Sequence, residues 1–250
     1  MWIASYPKSG NTWVRFLVHH LAFGPVESSS QVNDRIPPIH ASPAFESPPG
    51  RFVCAKTHLV FGDQHPRASE TRSAIVIVRN PRDVAMSALN YRRLFAALPE
   101  GFTDAMYLRS FIEHRGDADF ARRGFGTWAQ NVASWTRKHA FPTLMVRYED
   151  LKADATSQAG RIASFLGIDA DGDALADASA ASDLEELRAL ELAERTSSAA
   201  GTIFRGRDSG RYFMNTGGTG QRLDEIEPGL DRAFDGAFGE DASRFGYALR

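Results

Sequence analysis

Cys54 is the only cysteine among 250 residues. One thiol builds no disulfide framework, so a reducing compartment is expected, with Cys54 as a buried structural thiol in a strand. Acidic and basic residues nearly cancel to a net charge of −2. General attraction to nucleic acid or to an anionic membrane is thereby excluded, and any basic site has to be local. No apolar run reaches the length of a bilayer span, and no basic-then-apolar leader precedes the first apolar segment. A soluble cytoplasmic protein without a transmembrane segment is the expectation. No segment repeats at a fixed period. The Walker nucleotide loop is missing too, because Gly-Lys-Ser/Thr occurs nowhere in the chain. Asp169-Ala170-Asp171-Gly172-Asp173 invites a calcium reading. Its Gly falls fourth instead of sixth, however, and Ala180 stands where the twelfth-position Glu belongs. An acidic turn leading into a helix is expected there, and no metal. The length suits one large α/β domain over residues 1–250.

What is present begins at once. Trp2 to Ala4 reads as a strand, Pro7 and Gly10 turn the chain, and a helix starts at about Asn11 or Thr12 and runs to Leu21. A strand, a tight loop and a helix start form an anion site, because the first amides of the helix are unpaired and its dipole favours negative charge there. Lys8, Ser9, Asn11 and Thr12 add a cation and hydrogen-bonding groups at the same point. Residues 24–51, rich in Ser and Pro, read as a surface excursion, either the wall of a pocket or a plain solvated loop. Phe52 to Lys56 reads as a second strand ending at Thr57-His58, which places His58 at a strand's carboxyl end, where α/β folds bind ligands. Ala74 to Val78 is a continuous β-branched run, hence a central parallel strand. Arg79 then sits at the strand tip, Asn80 caps a helix with Pro81 in its first turn, and Ser87 lies two turns along. Arg82 reads as exposed. Asp104 to Arg115 and Thr127 to His139 read as helices, the second with Trp128, Val132 and Trp135 on a core face. Thr143 to Arg147 reads as another strand, followed by a helix capped by Asp154 and ended by Gly167. A last helix is expected over about Asp224 to Phe234, interrupted at Pro228.

Three strings together resemble the sulfotransferase family: Tyr6-Pro7-Lys8-Ser9-Gly10-Asn11-Thr12-Trp13, Lys56-Thr57-His58, and Arg79-Asn80-Pro81-Arg82-Asp83-Val84-Ala85-Met86-Ser87. The resemblance implies that the first loop holds the 5′ end of the donor 3′-phosphoadenosine 5′-phosphosulfate (PAPS), with Trp13 stacked on adenine. It implies that His58 is the catalytic base, assisted by Lys8 and Lys56, and that Arg79 and Ser87 grip the donor's 3′-phosphate. Tyr148, in Tyr148-Glu149-Asp150-Leu151, is similar to the family's adenine contact. Ser182-Asp183-Leu184 resembles the family's Thr-Ser-Phe segment near adenine, with Leu184 in place of the stacking Phe. Phe204 to Tyr212 corresponds to the family's Arg-Lys-Gly-x-x-Gly-Asp-Trp. Arg205 and Gly210 match, while Gly206 replaces the Lys and Arg207 the first Gly. The Gly-rich stretch from Asn215 to Gly220 is expected to order over bound donor.

The fold implied is a three-layer, P-loop-like α/β domain with a central parallel sheet flanked by helices, which the alternation of strands and helices supports on its own. The reaction implied is sulfuryl transfer to a hydroxyl or amine of a small-molecule, lipid or natural-product acceptor, leaving 3′,5′-adenosine bisphosphate (PAP). Two rivals are an ATP–magnesium kinase or NTPase, opposed by the missing Gly-Lys-Ser/Thr, and an inactive nucleotide-binding module, opposed by Lys8 and His58. The acceptor and the oligomeric state are not legible.

Overall fold

The computed structural model describes residues 1–39, 53–95, 98–196, 203–204 and 210–249. Arg205, Gly206 and Arg207 lie outside these described residues, as does most of the Ser/Pro-rich segment after Ile39. Four parallel strands form one sheet: β1 Trp2–Ser5, β2 Ala55–Thr57, β3 Ala74–Val78 and β4 Thr143–Arg147, in the order β2-β1-β3-β4. β3 is buried at all five positions, as its unbroken aliphatic run requires for a strand covered on both faces. β2 is shorter than expected and includes Thr57. Its ladder extends only as far as β1 offers partners, with Trp2, Ile3 and Ala4 opposite Ala55, Lys56 and Thr57.

Helices cover both faces. α1 Asn11–Phe23 follows β1. α2 Ser29–Arg35 lies within the stretch expected to be irregular; it starts after extended Ser28 and stops before Pro37-Pro38, where a helix is disfavoured. α3 Pro81–Phe95 follows β3, with the Asn80 side chain accepting from the amide of Arg82 at 2.9 Å. α4 Asp104–Glu113 and the single turn α5 Ala118–Phe120 lead to α6 Trp128–Thr136, whose Trp128 and Trp135 are fully buried. α7 Tyr148–Ala153, α8 Ala155–Leu166, α9 Gly172–Ala181 and α10 Leu184–Thr196 complete the middle of the chain. Asp154 caps α8 and left-handed Gly167 ends it. The final helix, α11 Leu230–Arg244, begins after Pro228-Gly229 instead of spanning them, because Asp224 accepts the amides of Gly229 and Asp231 and holds the intervening residues in a turn.

Arg82 is buried, contrary to the expectation of an exposed side chain. Its guanidinium pairs with Asp231 and Asp235 of α11, fastening α3 to the end of the chain. One apolar core packs α3, α4, α6 and α11 against one sheet face, and another packs α1, α8 and α9 against the other. Among the described residues, no helix is long and apolar enough to cross a membrane.

Candidate functional site

The carboxyl ends of the strands open into a cavity of about 880 Å³. The turn after β1 is shaped by two left-handed residues, Lys8 at φ 69° and Gly10 at φ 100°. A Cβ on Gly10 would stand 2.6 Å from the Tyr148 ring, so only glycine lets this loop lie against that aromatic. Lys8, Gly10, Asn11, Thr12 and Trp13 all line the cavity. Ser9 is buried, and its hydroxyl has no hydrogen-bond partner among the described residues.

Lys56 and His58 enter from β2. The Nδ1 of His58 lies 2.8 Å from the Ser5 carbonyl oxygen. A carbonyl only accepts, so Nδ1 carries a proton, and in the neutral ring the lone pair is on Nε2. The Asn11 amide donates to the Ile3 carbonyl and the Ser5 hydroxyl, steadying the strand end that orients this histidine. From the other side, the Asn131 amide donates to the His58 carbonyl at 2.7 Å.

Arg79, at the tip of β3, is buried and lines the same cavity as Ser87 of α3. Its guanidinium donates to the Lys8 carbonyl at 3.0 Å and the Gly218 carbonyl at 2.7 Å, and lies 4.1 Å over the Tyr148 ring. Its Nε is buried without a partner among the described residues, as is the Trp13 indole nitrogen. Tyr148, Trp13, Leu184 and Gly217 meet around one corner. The Trp13 and Tyr148 rings stand edge-on at 5.6 Å, and the Tyr148 hydroxyl donates to the Gly217 carbonyl at 3.3 Å. Asp83 accepts the amides of Gly220 and Gln221, so the Gly-rich stretch is held from Gly217 onward. Ser182 is not on the cavity wall; it is fully buried and its hydroxyl bonds the Ala178 and Ser179 carbonyls.

The floor holds several cations and few counter-charges. Burial, then the neighbouring Arg79, pushes the Lys8 ammonium down to about 7, against an opposing pull from Glu191. Burial, then Arg15 and Lys8, brings Lys56 to about 7 as well. Among the described residues neither amine has an ion pair. An incoming anion would restore their charge.

Other lining residues escaped the sequence reading. Arg15 of α1 donates to the Asn33 side chain and the Ile36 carbonyl, both at 2.6 Å. Tyr91, Phe95, Phe120, Phe125 and Phe213 form an aromatic wall, with the Lys8 amine 4.0 Å from the Phe213 centroid. The one local signal was Asp117 ahead of Phe120, a helix cap introducing an aromatic turn.

A model of the sulfotransferase domain matches residues 1–246. The chain belongs to the sulfotransferase family. Rat sulfotransferase 1A1 is 27% identical over 66% of this chain and 58% of its own length. Mouse sulfotransferase 1B1 is 30% identical over 69% of this chain and 60% of its own. Human sulfotransferase 2B1 is 24% identical over 95% of this chain and 64% of its own. The matched part thus spans about three fifths of these curated relatives. Mouse sulfotransferase SULT7A1 complexed with PAP has the same fold, with TM-score 0.70 at 23% identity over 97% of this chain and 83% of that one. Retinol dehydratase in complex with androsterone and PAP superposes with TM-score 0.73 at 19% identity, over 100% of this chain and 81% of that one. The family fold therefore extends through the last helix of this chain.

Proposed function

We propose that this chain transfers a sulfuryl group from PAPS to a hydroxyl of a small, largely apolar acceptor. The observation that carries the reading is the shared cavity: a histidine with its Nδ1 proton committed to Ser5 stands across from Lys8 and Arg79. The residues suit the donor. Among the described residues the buried Ser9 hydroxyl, Trp13 indole nitrogen and Arg79 Nε have no hydrogen-bond partner, and Gly10 leaves room beside Tyr148. Lys8, Ser9 and the amides at the start of α1 hold the 5′ phosphosulfate, Trp13, Tyr148 and Leu184 bracket the adenine, and Arg79 with Ser87 takes the 3′-phosphate. Arg205, Gly206 and Arg207 belong to the same proposal on sequence alone. Charge-assisted hydrogen bonds contribute about 1.5–3 kcal/mol each.

His58 Nε2 takes the acceptor's hydroxyl proton as the oxygen bonds to sulfur. The sulfur–oxygen bond to the leaving nucleotide breaks, and Lys8, with help from Lys56, stabilises the electron pair gathering on the bridging oxygen. As in phosphoryl transfer, alignment and charge stabilisation do most of the work. The aromatic wall favours small-molecule acceptors. The structural neighbours carry androsterone or retinol in their complexes, which are apolar alcohols. The soluble, cytoplasmic setting belongs to this reading too.

The test is transfer of labelled sulfate from PAPS with wild type and His58→Ala. The variant should bind PAP within about twofold of wild type and lose about a thousandfold in turnover. Undiminished turnover would remove His58 from the mechanism, and ATP–magnesium binding without PAP binding would defeat the donor assignment.

A further inference from the structure

The acceptor end of the cavity is built on one unusual turn. α5 runs into a π-helical turn, Ala121–Phe125, in which Gly124 is left-handed at φ 82°. Such turns break helical regularity and are frequent at functional sites. Asp117 anchors its start, accepting the amides of Asp119 and Phe120 at 2.9 and 3.2 Å, and is itself held by Arg92 and by the Tyr107 hydroxyl. The far end is fastened beside the proposed base. The Val60 amide donates to the Gly124 carbonyl at 3.1 Å. One Asn131 side chain donates to both the Phe125 and the His58 carbonyls. The His58 and Phe125 rings lie 5.6 Å apart. The turn is therefore a fixed platform adjoining the reacting hydroxyl's position.

Two adjacent arginines on this platform are used differently. Arg122 pairs with Asp119. Arg123 is exposed, lines the cavity next to Phe120 and Phe125, and has no ion pair among the described residues. The charge balance of the cavity sharpens the point. Among the described residues its lining carries Lys8, Arg15, Lys56, Arg79 and Arg123 against one carboxylate, Asp34. Lys8 and Arg79 are assigned to the donor, Lys56 to the transfer step, and the Arg15 guanidinium is spent on Asn33 and the carboxyl end of α2. Asp34 sits on the α2 wall and forms no ion pair with any of these cations. Among the described residues, Arg123 is the cation left at the rim beside the aromatic wall.

We propose that Arg123 is a specificity-determining residue that selects acceptors bearing a carboxylate remote from the hydroxyl, namely phenolic or alicyclic hydroxy acids. The proposal rests on the sulfotransferase reading above. The apolar body fills the aromatic wall, while the carboxylate stays at the wet rim and pairs with the guanidinium, whose fork matches it. A rim charge keeps much of its hydration, so the expected preference is about tenfold.

The test uses a panel of hydroxy acids, each beside its methyl ester, such as 3-(4-hydroxyphenyl)propionate and its ester. Wild type should show kcat/KM about tenfold higher for acids, carried by KM and reduced by salt. Arg123→Gln should bring the acid-to-ester ratio near one, while Arg122→Gln leaves it unchanged. Esters sulfated as well as acids across the panel would overturn the subsite while leaving the sulfotransferase reading in place. A loss in Arg123→Gln that falls equally on both forms would overturn it too. Sulfation of neither form would count against the reaction, and the subsite would then be read by calorimetry. Acids binding about tenfold tighter than esters would support it, and equal or absent binding would overturn it.

Discussion

The floor of the cavity and its mouth are held by opposite arrangements of charge. At the floor, Lys8 and Lys56 lie near each other and other cations, with no ion pair among the described residues, and both are pushed down to about 7. Around the mouth, buried carboxylates grip backbone amides. Glu191 accepts those of Phe213 and Met214 at 2.6 and 2.9 Å, and Asp117 accepts those of Asp119 and Phe120. The difference separates two tasks. The floor holds buried amines whose full charge returns only with an anion, whereas the mouth uses satisfied carboxylates to fix the aromatic side chains of the wall.

Mutations should split along the same line. Asp117→Ala removes a buried partner from Arg92 and Tyr107 and uncaps the turn carrying Phe120 and Phe125. It should cost about 3 kcal/mol in urea unfolding, raise the acceptor's KM, and leave PAP affinity of the folded protein within about twofold. A collapse of PAP affinity there would erase the distinction between floor and mouth.

The pH dependence comes next in size. Each lysine titrates near 7 in the folded chain and above 10 when unfolded, so unfolding takes up protons between those values. The ligand-free protein therefore gains stability from these groups as pH rises through that window. Bound nucleotide favours the charged amines, so PAP affinity should fall as pH rises above 7, by up to about tenfold per pH unit for each lysine that regains its proton. Calorimetry at pH 8 in buffers of different ionisation enthalpy should register proton uptake on binding; its absence would show that the floor is already charged.

The smallest effect is at the wall itself. Phe120→Ala should raise KM for an apolar acceptor about three- to tenfold and leave PAP binding unchanged. Steady-state kinetics with varied acceptor and direct PAP titration check both halves.

The floor was legible in the sequence and the mouth was not, for a physical reason. His58 and Arg79 stand directly after a strand and Lys8 in the turn that follows one, and a strand end followed by a turn and a helix is a local pattern. β3 and the tryptophan face of α6 were readable because period and burial are local too. The aromatic wall draws Tyr91 from α3, Phe120 from α5, Phe125 from the π-turn, and Phe213 from a segment clamped by α10. No spacing announces such a meeting. Arg82 looked solvated because its partners Asp231 and Asp235 lie at the far end of the chain. α2 was masked by its serines and prolines, although Ser29 makes two bonds to the buried Glu194 carboxylate. Ser182 shows the opposite failure: a local string resembled a site segment, but its hydroxyl is consumed by the helix before it.

The guanidinium of Arg79 bonds the Lys8 carbonyl across the cleft, and the proposed function requires one nucleotide to engage both residues. The affinities of wild type and Arg79→Ala for PAP and for adenosine 5′-phosphate, which lacks the 3′-phosphate, decide whether it does. The variant should lose about a hundredfold for PAP and change little for adenosine 5′-phosphate. Equal losses for the two nucleotides would contradict it.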